Sequence, residues 1–218
     1  MHKLYLKGVM KLMRKKSHLA LASYLMNSEG MGQLATHKKA FYIGNILPDC
    51  IPSFITKRHT IEETFSILKR ELTLLIEHYD FTKGITSYFC RHLGIILHHV
   101  ADYFTFPHNS FYQGTLREHC KYEELLKHRL RSYVKSEDAQ KKRDQVSHIC
   151  SVEDICNMVR DMHEHYRTSK HSLDNDCNFI ITICHKIVDS LLHLFSNATN
   201  QVSSNATNQV SLRLTQCY

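Results

Sequence analysis

The chain has 218 residues, with a formal net charge of +7, 43% hydrophobic and 22% charged residues, and only 7 Gly and 3 Pro. That length allows one domain with a sizeable core, and so few turn residues exclude a sandwich or barrel. The charge is spread along the chain, so it argues for a basic surface that meets phosphate, on lipid or nucleic acid, without marking where.

Helical periodicity runs through almost the whole sequence. A first helix is expected from a Ser17 cap to Asn27, with Leu19, Ala22, Leu25 and Met26 on one face. "MGQLATHKKAFYIGNI" reads as a second helix that ends before Pro48, because the residue ahead of a proline is driven towards extended geometry. Thr60 with Glu63 forms a capping-box pattern for a third helix over 61–78. The fourth spans 83–105 and stops at Pro107, and the fifth covers 114–134. "SEDAQKKRDQ" is a charged connector, Ser151 with Asp154 opens a helix to 168, and the last helix runs from Asp176 to Phe195. No alternating strand pattern of useful length appears, so the class is all-α, a compact multi-helix domain over 1–195. Residues 196–218 carry "SNATNQVS" twice in succession, and this polar tail is expected to stay disordered. Its two N-x-T sequons, at Asn197 and Asn205, have no secretory signal to give them meaning.

The 8 cysteines include no CxxC pair, and no signal peptide is visible, so reduced thiols in a cytoplasmic protein are expected. No unbroken apolar run reaches the ~18 residues of a membrane span.

Histidine is the outlier, with 17 copies, and imidazole is the commonest metal ligand. His98 and Asp102 are four apart, which puts them on one helix face. His119 and Glu123 repeat that spacing on the next helix, and between them Pro107 breaks the chain so that an extended Phe106 lets His108 turn back. Upstream, His18 opens the first helix, Asp49 follows Pro48, and His59 precedes the Thr60 cap. Helix ends and loops are where ligands converge without disturbing a core. The set His18, Asp49, His59, His98, Asp102, His108, His119 and Glu123 is nitrogen- and oxygen-rich with no thiolate. Zinc is the expected ion, and the ligand count implies more than one. His92, His99, His163, His165, His171, His185 and His193 read as core or solvated histidines, with His99 able to support a ligand from behind. Tyr42, Phe54, Tyr103 and Phe111 read as core.

"FYIGNILPD", a loop histidine, "HHVADYFTFPH" and "EHCKYE" together resemble the bacterial zinc-dependent phospholipase C family. The same pattern is similar to the catalytic domain of glycosylphosphatidylinositol-specific phospholipase D and, more distantly, to single-strand-specific zinc nucleases. The likeness covers roughly 17–130. It implies a helical fold with two or three zinc ions in a cleft, and hydrolysis of a phospholipid headgroup phosphodiester by a metal-bound hydroxide. By position, the resemblance places Asp49, His59 and His98 around one zinc, with Asp102 bridging to a neighbour. His108, His119 and Glu123 hold another, and His18 joins Asp102 on a third. Asp49 is the implied catalytic group that orients the water or takes its proton. The family's third ion also uses an N-terminal tryptophan. This chain has no tryptophan and places 17 residues ahead of His18, so His37 or His2 is the substitute to look for. Cys50 follows Asp49 where an aromatic residue is expected, so choline selectivity is not supported. A nuclease or other phosphodiesterase on the same cluster, and a metal-binding protein without turnover, are the alternative readings. The expected partners are a phosphodiester substrate and a peripheral membrane surface, with no transmembrane span and no specific protein partner.

Overall fold

The computed structural model describes residues 16–28, 31–51, 58–136 and 151–215, with side chains to residue 199. The elements are α1 (16–26), a 3-10 turn Gly32–His37 leading into α2 (Lys38–Ile46), α3 (Ile61–Ile76), α4 (Ser87–Tyr103), α5 (Leu116–Tyr133), α6 (Val152–Thr168) and α7 (Leu173–Thr215). Among the described residues there is no strand, as an all-α fold requires.

α4 is the axis. From Leu93 to Tyr103 every residue is buried, so the helix is enclosed on all sides by α2, α3 and α7. Its closest neighbour is α2, and two glycines make that crossing. A Cβ on Gly44 would lie 2.1 Å from the Arg91 carbonyl oxygen, and one on Gly94 would lie 2.5 Å from that of Phe41. Only residues without a Cβ let the two backbones touch.

Caps fix where the helices begin. Thr60 Oγ1 accepts from Glu63 N, but the Glu63 carboxylate accepts from Arg58 N at 2.8 Å, so only half of the expected capping box forms. A complete box stands at α5, where Thr115 and Glu118 bond reciprocally. Ser151 accepts from Asp154 N at 3.1 Å, as its spacing predicts.

Four expectations change. Lys16 is already helical, so Ser17 lies inside α1 and its buried Oγ is not a cap. The second helix starts as a 3-10 turn and becomes α-helical only at Lys38. α4 starts at Ser87 instead of 83. Gly84 takes a positive φ of 66° that ends a short turn, and Thr86 then caps the helix. Finally, α7 does not stop at Phe195 but runs to Thr215 through both copies of the duplicated segment. No Gly or Pro interrupts it there, and Ser196 and Thr199 fold their hydroxyls back onto the Leu192 and Phe195 carbonyls. The charged connector, apart from Ser136, lies outside the described residues.

Leu173–Thr199 is long and apolar enough, by length and composition, to cross a membrane, which a count of unbroken apolar runs misses. Here its Ile180, Ile183, Ile187 and Leu191 are buried in the core. The six described cysteines are all free.

Candidate metal centre

Six segments deliver the eight side chains to one place. His18 comes from α1, Asp49 from the turn after Pro48, His59 from the residue before the Thr60 cap, His98 and Asp102 from α4, His108 from a turn, and His119 and Glu123 from α5. Seven of them are buried and His119 is half-buried.

Asp102 is the hub. Its Oδ2 lies 2.8 Å from His59 Nδ1 and 3.3 Å from His98 Nε2, and its Oδ1 lies 3.3 Å from His18 Nε2 and 3.1 Å from His108 Nδ1. His98 Nε2 and His59 Nδ1 are 3.2 Å apart. Asp49 Oδ1 stands 3.9 Å from His59 Nδ1. Across the cluster, Glu123 Oε1 is 3.0 Å from His108 Nε2 and 2.7 Å from His119 Nε2. Three groups each gather ligand atoms within 4.8 Å of one another: His18, His98 and Asp102; Asp49, His59 and His98; His108, His119 and Glu123.

These spacings fit an ion. Bonds of about 2.05 Å to a tetrahedral zinc put ligand atoms about 3.3 Å apart. Two imidazole nitrogens and a carboxylate oxygen meet at that spacing around His59, His98 and Asp102. His98 Nδ1 donates to the Asn45 carbonyl at 2.8 Å, which leaves the lone pair of Nε2 facing the cluster. The Gly44–Gly94 contact is what brings that carbonyl to the ring. Two buried atoms in the cluster, Asp49 Oδ2 and His18 Nδ1, have no hydrogen-bond partner. Buried polar atoms are nearly always satisfied, so this is where a cation belongs.

The charges agree. Burial pushes the Asp102 carboxyl up, but His108, His98 and His18 outweigh it and hold it well below the usual carboxylate range. Burial lowers His98 too, and Asp102 and Asp49 overcome that and raise it. His18, stacked on His98 at 3.8 Å, is lowered by burial and then by His98. Burial, then His98 and His59, push His99 well below its ordinary value, so the wall behind the ligands is neutral.

The turn that carries His108 differs from expectation by one residue. Thr105 is the extended residue, and Phe106 opens a 3-10 turn to His108 with Pro107 in its first positions, where a missing N–H is harmless. Phe106 N donates to Asp176 Oδ2 at 2.9 Å, and His163 Nε2 donates to Asn109 Oδ1 at 2.7 Å. The Phe106 ring stacks on His171 at 4.6 Å.

His37 does not reach the cluster, because its Nδ1 bonds Ser87 Oγ at 3.0 Å on the protein surface. His2 and Phe54 lie outside the described residues. His92 is held by buried Glu71, and His185 by Tyr24. Tyr103 is buried and bonds Thr64, while Tyr42 and Phe111 pack against the core. Sequence reasoning missed Asn45, whose contribution is a backbone carbonyl, and Asp176 and His163, which act on the His108 turn from more than 50 residues away in sequence.

A pocket opens beside the cluster. His18, Asp102, His108 and Glu123 line its polar end, and Leu21, Leu126, Leu130 and Ile180 its apolar one.

A family model described as zinc dependent phospholipase C matches residues 17–173. No curated protein and no solved structure matches the chain.

Proposed function

From a chain that belongs to the zinc-dependent phospholipase C family, we propose a hydrolase that cleaves the headgroup phosphodiester of a phospholipid. The observation that carries this reading is the position of Asp102, whose Oδ2 faces His59 and His98 and whose Oδ1 faces His18 and His108, so that one carboxylate touches ligands of all three groups.

Asp49, His59, His98 and Asp102 would hold one zinc, His108, His119 and Glu123 a second, and His18 with Asp102 a third. Zinc supplies positive charge for phosphoryl oxygens and acidifies water, chemistry that suits phosphodiester cleavage at neutral pH. The chain's own groups do the rest. Asp49 Oδ2, buried and without a hydrogen-bond partner, takes the proton of the attacking water. The Asn45 carbonyl keeps the His98 proton on Nδ1. The pocket beside the cluster is apolar at one end, through Leu21, Leu126, Leu130 and Ile180, a lining that suits hydrocarbon next to a phosphate and favours a lipid over an oligonucleotide. The net charge of +7 favours approach to an anionic lipid surface.

The test joins metal analysis to a substrate panel on one preparation: phospholipid vesicles, bis-p-nitrophenyl phosphate and a single-stranded oligonucleotide. The expected result is two or three zinc ions per chain and release of a phosphorylated headgroup. A zinc-loaded chain that cleaves none of the three substrates sinks the hydrolase reading, and one that prefers the oligonucleotide sinks the lipid reading.

A further inference from the structure

Behind the His108–His119–Glu123 group, one carboxylate fastens three elements together. Asp176, in the first turn of α7, is 0% exposed. Its Oδ2 accepts from Phe106 N at 2.9 Å and from the Tyr122 hydroxyl at 2.8 Å, and its Oδ1 accepts from the Tyr166 hydroxyl at 2.7 Å. Phe106 opens the turn that ends in His108, and Tyr122 is the residue before Glu123 on α5. A single oxygen therefore spans the segment that carries His108 and the helix that carries His119 and Glu123. The third bond, to Tyr166, anchors this gauge to α6. The hydrogen bonds of Asp176 run to neighbours of the ligands in sequence, and Asp176 lies beyond the 17–173 span of the family match.

We propose that Asp176 is a positioning residue that sets the distance between His108 and Glu123, and so the affinity of the metal site those two share with His119. The inference rests on the reading of these three side chains as zinc ligands. The geometry makes it specific. The Asp49–His59–His98 group is placed by the α2–α4 crossing and the Asn45 carbonyl, and neither meets Asp176. Removing the acceptor at 176 should loosen one ion and leave the other in place. A packing residue of the core would disturb both. The hydrogen bonds do the positioning: burial pushes the Asp176 carboxyl up to about 6, and the bonds from Phe106 N, Tyr166 and Tyr122 work against that rise. An amide in its place can still accept from Phe106 N and Tyr122 through its carbonyl oxygen, and donate to the Tyr166 oxygen.

The experiment uses the full chain loaded with zinc, titrated with a competing chelator, and the cobalt-substituted chain read by its visible absorption. Asp176→Leu should weaken one ion by about 10–100-fold and leave the remainder at the native affinity, with only part of the cobalt spectrum changed. Asp176→Asn should restore that ion to within about threefold of native, since it restores the acceptor. Tyr122→Phe, which deletes one bond and no volume, should weaken the same ion by a smaller factor. Native affinity for every ion in Asp176→Leu, or parallel loss of all ions, overturns the proposal. Should Asp176→Leu not fold, Tyr122→Phe decides alone: selective weakening supports the gauge and native affinity overturns it. A wild-type chain that binds no zinc defeats the metal reading, and this inference with it. A loaded wild type with indistinguishable variants defeats this inference only.

Discussion

His98 reaches the cluster from the interior of a long helix, whereas His108 reaches it from a three-residue turn, and the two are secured by different physics. On the His98 side, α2 and α4 touch backbone to backbone through Gly44 and Gly94, and the Asn45 carbonyl fixes the ring. On the His108 side, Phe106 N donates to Asp176 and His163 donates to Asn109, and these side-chain hydrogen bonds clamp a three-residue turn. The first arrangement admits no added atom, because close-packed backbones cannot yield. The second can be adjusted one bond at a time.

Asp102 joins the two sides, so its loss should hurt most. Asp102→Asn is expected to lower phosphodiester turnover by about 10³-fold, as several kcal/mol of charge stabilisation are lost, and to reduce bound zinc. Full activity in that variant would show that the sides work independently. Next comes Gly94→Ala, whose Cβ would meet Phe41 O at 2.5 Å and Asn45 N at 2.8 Å. It should cost about 3 kcal/mol in urea unfolding and weaken metal on the His98 side first.

The clamped side should respond to pH. The Asp176 carboxyl is raised to about 6 by burial, so the native state binds its proton more tightly than the unfolded chain. Stability from this group is therefore fully present below about pH 4 and lost as pH rises through about 6, by about 3 kcal/mol. Urea midpoints of wild type and Asp176→Asn, compared between pH 4.5 and 7.5, should diverge with the wild type losing ground. Thr115→Ala removes the α5 cap and should cost about 1 kcal/mol, with a small fall in the affinity of the His119 side. His37→Ala should change bound zinc not at all and stability by less than about 0.5 kcal/mol. A lost ion in that variant would put His37 in the centre.

The eight candidate ligands were legible because their types and spacings are local: His98 with Asp102, and His119 with Glu123, read off a helix face. The structure brings them together from six segments. What supports them was illegible. Asn45 acts through a carbonyl that every residue possesses, so no side chain announces it. Gly44 and Gly94 lie inside helices, and nothing local in the sequence marks the crossing that requires them. Asp176 sat at the expected start of a helix, where a carboxylate is unremarkable as a dipole partner, and its real bonds reach 54 and 70 residues back. The Ser17 cap and the single second helix failed for a local reason, since neighbouring turns altered where each helix starts. His37 failed as a substitute ligand because Ser87 holds it at the surface.

The ligands span His18 to Glu123, nearly half the chain, and that span has a thermodynamic consequence. A zinc held by His18 and Asp102, as proposed, would be a reversible cross-link that closes a loop of about eighty residues, and closing a long loop costs little more than closing a short one. The folded state alone offers the assembled site, so every tenfold rise in free zinc above the dissociation constant adds about 1.4 kcal/mol to folding. With zinc bound as proposed, the stability of this chain would be a property of its surroundings as much as of its core, and its melting temperature would read out the zinc supply.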